Sequence, residues 1–106
     1  MYLYAYNEEI DSLLIWDLVN KNLLKRIILN SKIFDFLIWD NTYGIISTDK
    51  DFALINLEEK KIIKRFNIYR NKCIIGIKKI KIDTFGEFLV CLNRGGEVCI
   101  YNLLAN

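Results

Sequence analysis

The sequence predicts an all-β protein built from consecutive antiparallel meanders, and three observations carry that reading. Short apolar, β-branched or aromatic runs alternate with Gly, Asp and Asn clusters about every ten residues. Several runs are apolar on both faces, as in Leu13-Leu14-Ile15-Trp16-Asp17-Leu18 and Phe52-Ala53-Leu54-Ile55-Asn56-Leu57, so each such sheet needs a cover on both sides. The pattern also repeats within the chain, with Trp16-Asp17 and Ile55-Asn56 lying 39 positions apart.

The elements follow in order. Tyr2 to Tyr6 forms the first strand, a turn at Asn7-Glu8-Glu9 follows, and Ser12 to Leu18 and Leu23 to Leu29 form the next two. Ile33 to Ile38 then leads through Asp40-Asn41-Thr42-Tyr43-Gly44 into Ile45 to Thr48. A turn at Asp49-Lys50-Asp51 gives Phe52 to Leu57, and the Glu58-Glu59-Lys60 turn gives Lys61 to Phe66. The last meander runs from Ile77 to Ile82, through the turn Asp83-Thr84-Phe85-Gly86-Glu87 to Phe88 to Leu92, and through Asn93-Arg94-Gly95-Gly96 to Val98 to Leu103. Glycines there supply the positive φ that a tight hairpin requires. About ten strands and no helix result.

Composition sets the chemistry. At 106 residues, 53% hydrophobic and 26% charged with a net charge of +2, the chain can bury a core and is too weakly basic for a phosphate-dominated partner. There is no histidine, so the commonest general base near neutral pH and the commonest metal ligand are both missing. Cys73, Cys91 and Cys99 form an odd set without a CxxC spacing, and their apolar neighbours read as buried free thiols. Cys91 and Cys99 could face each other across a hairpin. Carboxylate pairs at Glu8/Glu9, Asp49/Asp51 and Glu58/Glu59 all fall in turns, where solvated acids are ordinary. No catalytic residue, metal site or cofactor is expected. No basic leader precedes an apolar segment at the amino terminus and no apolar run approaches a membrane span, so the expected location is the cytoplasm or nucleus.

The repeat extends to the strand after each Trp-Asp-type pair: Leu23-Leu24-Lys25-Arg26-Ile27 recurs as Ile62-Ile63-Lys64-Arg65-Phe66. A third unit ends in Val98-Cys99-Ile100-Tyr101-Asn102-Leu103, with Tyr101-Asn102 at the place of Trp16-Asp17 and Ile55-Asn56. The recurring Lys-Arg pairs read as solvated edge residues that discourage strand addition. On these residues the chain resembles the WD-repeat β-propeller family, whose repeat of about 40 to 45 residues forms a four-stranded blade and often closes its third strand with Trp-Asp. The family's Gly-His dipeptide is absent, so its buried histidine-centred hydrogen-bond network cannot form.

The resemblance implies antiparallel four-stranded blades of a WD-repeat-like propeller, incomplete in this chain: one blade from 2–29 lacking its first strand, one from 33–66, and one from 74–103 lacking its fourth. It makes Trp16, Asp17, Asp49, Asn56, Asn93 and Asn102 structural, with Trp16 packed between blades. It places Lys32, Lys50, Asp51, Arg70, Lys72 and Arg94 on the loop rim where such proteins meet partners. The implied function is a non-enzymatic scaffold for a protein or peptide, with further blades or copies of itself among its partners and the chain an oligomer or part of a larger one. From a different class, a small β-domain binding RNA or DNA through its tyrosines, Phe34 and the Lys-Arg pairs is the alternative.

Overall fold

The structure, a computed structural model, describes residues 1–7, 9–67, 74–82, 84 and 86–102. Ten strands arise from the alternation of apolar runs and turn residues: β1 (Tyr2–Ala5), β2 (Ser12–Asp17), β3 (Asn22–Ile28), β4 (Ile33–Ile38), β5 (Tyr43–Thr48), β6 (Asp51–Asn56), β7 (Lys61–Asn67), β8 (Ile74–Ile82), β9 (Gly86–Asn93) and β10 (Val98–Tyr101). Among the described residues there is no α-helix. The strands form three antiparallel meanders in the orders β1-β2-β3, β4-β5-β6-β7 and β8-β9-β10, here called sheets 1, 2 and 3.

The sheets stack face to face, which covers both faces of sheet 2 and one face each of sheets 1 and 3. Leu13, Ile15 and Ile27 of sheet 1 pack against Ile46, Ala53 and Ile55 of sheet 2. The opposite face of sheet 2 carries Ile45 and Phe52, which pack against Ile74, Ile77, Leu89 and Cys91 of sheet 3. Successive residues on a strand point to opposite faces, so β6 sends Ala53 and Ile55 one way and Phe52 and Leu54 the other. Fully buried Leu and Ile side chains such as Leu13, Ile15, Ile46 and Ile55 each stabilise by roughly 1.5–3 kcal/mol.

The 39-residue repeat is visible in the backbone. In the β2–β3 turn, Asp17 Oδ1 accepts hydrogen bonds from the amides of Val19 and Asn20 at 2.9 and 3.2 Å. In the β6–β7 turn, Asn56 Oδ1 accepts from Glu58 and Glu59, both at 2.9 Å. Lys21 and Lys60 close these turns with the same φ of 56°. Both ladders also shift register at matching places, between Ile15 and Trp16 and between Leu54 and Ile55. A short oxygen-bearing side chain at the turn entry and a left-handed residue at its exit give this loop its shape.

Most strand ends shift by one or two residues from the expectation, Tyr43 and Gly44 joining β5 among them, and three shifts bear on the packing or the turns. β8 begins at Ile74 rather than Ile77, because a register shift lets Ile74 pair with Asn93 while its side chain enters the core. Gly86 and Glu87 belong to β9 rather than the turn, and Gly86 meets the end of β8 at a φ of 97°. Asp51 begins β6, opposite Asn67.

Candidate functional site

The Asp49-Lys50 turn between β5 and β6 is organised by Thr48, whose Oγ1 accepts from the amides of Lys50 and Asp51 at 3.1 and 3.0 Å. The same hydroxyl donates to Asp51 Oδ1 at 2.7 Å. Arg65 on β7 grips that carboxylate with two nitrogens, Nε to Oδ2 at 2.7 Å and Nη2 to Oδ1 at 2.9 Å. Its Nη1 donates to the Leu29 carbonyl at 2.6 Å, and Nη2 lies 3.3 Å from Ser31 Oγ. One guanidinium therefore ties the third and fourth strands of sheet 2 to the segment arriving from sheet 1. Burial alone would raise the Asp51 carboxyl. Hydrogen bonds from Arg65 and Thr48, with the charges of Arg65 and Lys50, more than offset that and hold it below its ordinary value. Arg65 is raised in turn, by its hydrogen bonds to Asp51 acting against burial and by the Asp51 charge.

Sheet 1 repeats the device in weaker form. Arg26 donates Nε to Ser12 Oγ at 2.9 Å, Ser12 donates to Asp11 at 3.0 Å, and Arg26 Nη2 lies 3.8 Å from Asp11. The recurring Lys-Arg pairs lie exposed on the edge strands β3 and β7, and their arginines have a further role. Each arginine reaches a polar side chain 14 residues earlier, while Lys64 lies over the Phe66 ring at 4.8 Å. That common separation, together with strand alternation, is the signal in the sequence that marks the arginines out.

The rim residues expected from sequence fall in different places. Lys32 and Asp49 are held together by two hydrogen bonds: the Lys32 amide donates to Asp49 Oδ1 at 3.1 Å and the Asp49 amide to the Lys32 carbonyl at 3.0 Å. Lys50 is exposed beside them, and Arg94 is exposed with its guanidinium carbon 5.5 Å from the centre of the Phe34 ring. Lys32, Lys50 and Arg94 therefore stand on three separate turns at one end of the stack. Asp51 does not join them: only 8% exposed, it is consumed by Arg65 and Thr48. Arg70 and Lys72 lie outside the described residues, as does Cys73. Asn93 shapes the Arg94 turn, its Oδ1 accepting from the Glu97 amide at 2.9 Å, with Gly96 at a φ of 83°. Asn102 follows β10 and is exposed.

Trp16 does not lie in the contact between sheets 1 and 2. It is half-buried on the face of sheet 1 that turns away from sheet 2, beside Leu3, Leu18 and Lys21, whereas Ile55, at the matching position, is fully buried. The strand alternation that points Leu13 and Ile15 into the first core sends Trp16 out of it.

Two features escape the sequence reading. Asp35 on β4 accepts from the Ile77 amide of β8 at 3.0 Å and so joins sheet 2 to sheet 3. At the opposite end of the stack from the lysine-bearing turns, Trp39 and Asp40 line a cleft of about 310 Å³ with Lys79, Lys81, Gly86 and Glu87. There the Lys79 ammonium lies 5.0 Å over the Trp39 ring and donates to the Trp39 carbonyl at 2.6 Å. Only tertiary pairing of distant strands brings either set together.

Cys91 and Cys99 are direct partners across β9 and β10, and both are free thiols. Burial, with a smaller contribution from Cys99, pushes the Cys91 thiol up to about 12. Among the described residues, no three His, Cys, Asp or Glu side chains converge to hold a metal ion, and no helix is long and apolar enough to cross a membrane.

Three stacked antiparallel meanders, with strands consecutive in sequence hydrogen-bonded within each, define a β-propeller-like fold. No protein-family model matches the chain, and no curated protein matches it. Among solved structures it is similar to dihydro-heme d1 dehydrogenase NirN in complex with DHE, a β-propeller protein, with a TM-score of 0.77 at 18% identity. The match covers 99% of this chain and 25% of that one, so the chain spans about a quarter of its length. At that identity the likeness shows the fold alone.

Proposed function

We propose that the chain is a WD-repeat-like propeller segment acting as a non-enzymatic scaffold, and that its loop rim receives a protein or peptide bearing acidic side chains. The observation that carries this reading is the gathering of Lys32, Lys50 and Arg94 on one rim by turns whose own hydrogen bonds hold them still. Rigid turns lower the ordering cost of binding, and exposed like charges favour an oppositely charged partner and speed its approach. The free thiols favour a reducing compartment, the cytoplasm or nucleus.

A photo-crosslinking side chain placed at Lys50 should trap a discrete partner in cells, and the same group at Lys25 on the outer strand should not. Charge reversal at Lys32, Lys50 and Arg94 should abolish the adduct while the folded chain persists. Equal trapping from both positions, or an adduct indifferent to the charge reversal, would sink the reading.

A further inference from the structure

Equivalent positions in the three sheets show what a sheet-to-sheet contact in this protein is made of. Between sheets 1 and 2, β2 of the first contributes Leu13 and Ile15 and β6 of the second contributes Ala53 and Ile55. Between sheets 2 and 3, Phe52 and Leu54 stand where Leu13 and Ile15 stood, and Cys99 and Tyr101 where Ala53 and Ile55 stood. Each contact joins one face of each kind. Among the described residues, one face of each kind is left uncovered.

On sheet 3 the uncovered face carries Val98 and Ile100, 63% and 58% exposed, at the positions of Phe52 and Leu54. Val98 pairs with Leu92 and Ile100 with Val90, which widens the patch across two strands. On sheet 1 the uncovered face carries Leu14 and Trp16, at the positions of Ala53 and Ile55. Leu3 and Leu23, 49% and 44% exposed, flank Trp16 as its direct cross-strand partners. The two faces are thus the missing halves of the contact that the chain already makes twice.

We propose that a second copy of this chain covers them, the outer face of its sheet 1 seating on the outer face of sheet 3, and reciprocally, so that two copies close a ring of six sheets. A contact between unlike faces of identical chains generates either a closed ring or an open filament. Propellers close at roughly 4–8 blades, and with three sheets per copy only a pair of copies falls in that range. Arg26 adds a directional element. Its counterpart Arg65 donates across the first contact to the Leu29 carbonyl, and Arg26, with 56% of its side chain exposed, stands at the same place on the uncovered face. This assembly is independent of what the loop rim binds.

Light scattering on the full chain across a concentration series should give a discrete species of twice the chain mass of 12.5 kDa. Trp16→Lys and Ile100→Lys should each shift it to monomer, with the β-sheet circular dichroism unchanged. Mixing the two variants should restore a dimer, because one keeps an intact sheet 3 face and the other an intact sheet 1 face. If a Trp16 variant fails to fold, Leu3→Lys replaces it on the same face. A monomer at every concentration, as expected if the covering sheets belong to another protein or to more of a longer chain, overturns the proposal. So does a dimer broken by only one variant, which would mean that like faces meet, and so does mass that grows without limit.

Discussion

Replacing Arg65 by Met isolates what the guanidinium contributes, since Met keeps most of the aliphatic stem and removes the charge and all the donors. The side chains of Arg65 and Asp51 are 34% and 12% exposed, which sets the pair between a surface ion pair and a buried one. Removing one member of a buried pair costs about 3–5 kcal/mol, exposed pairs are worth at most about 1, and the partial exposure here brings the expectation to about 2. The Leu29 carbonyl also loses the donor it holds at 2.6 Å, adding about 1 kcal/mol. A loss of about 2–3 kcal/mol would lower the melting temperature of a domain this size by about 10–20 °C. The pH dependence has a definite sign. The Asp51 carboxyl is held below its ordinary value in the folded chain, so its stabilisation is present above the unfolded value of about 3.9 and lost as pH falls through the folded one. In the Met variant burial is no longer opposed by Arg65, so the gap from wild type should be widest near neutral pH and narrow below about pH 4. Urea unfolding of Arg65→Met, Asp51→Asn and the double variant tests this. A coupling of about 1.5–2 kcal/mol is expected. Additive effects, or an Arg65 variant within about 0.5 kcal/mol of wild type, would refute the role of this pair in tying the strands together.

Other substitutions probe the packing. A Cβ on Gly44 would meet Phe36 Cε1 at 2.8 Å and Leu57 Cδ2 at 3.1 Å, and Phe36 is itself packed on Tyr4 with ring centres 5.2 Å apart. Gly44→Ala should therefore cost about 1–3 kcal/mol by chemical denaturation, and a neutral result would mean that the ring turns away freely. In variants kept monomeric by Ile100→Lys, Ile55→Ala should cost about 2–5 kcal/mol and Trp16→Ala distinctly less, because only the first side chain is fully buried within one chain. A reversed order in their urea midpoints would contradict the placement of the two faces. Cys91, with its thiol pushed up to about 12, should resist iodoacetamide at pH 8 until the chain is unfolded in urea, and rapid labelling of the folded chain would show the burial to be incomplete.

Much of the architecture was legible because strand periodicity is local. The run around Phe52 announced burial on both faces, which the structure gives it, whereas the runs around Leu13 and Ile100 each show one covered face; Gly96 announced its hairpin. What could not be read was which face each run would show to which neighbour. Trp16, the most distinctive residue of the resemblance, points away from the first core because the alternation set by Leu13 and Ile15 assigns it to the other face. Asp51 looked like a turn acid until β7 brought Arg65 opposite it. Trp39 and Lys79 are 40 positions apart, and no local pattern joins them. Lys32 and Asp49 stood out only as loop residues, while the backbone pair that fixes them depends on the register of β4 against β5.

Stacked sheets held by apolar contact alone would be free to slip, since hydrophobic attraction has no direction. Polar pins cross both contacts of this protein, among them Arg65 to the Leu29 carbonyl in the first and Asp35 to the Ile77 amide in the second. The pins add little to the attraction between sheets but determine the offset at which each sheet rests on the last. Pulling both, by Arg65→Met with Asp35→Leu, should leave a collapsed β-protein whose amide resonances broaden as the sheets sample several offsets, and sharp, well-dispersed resonances would show that side-chain fit alone sets the alignment.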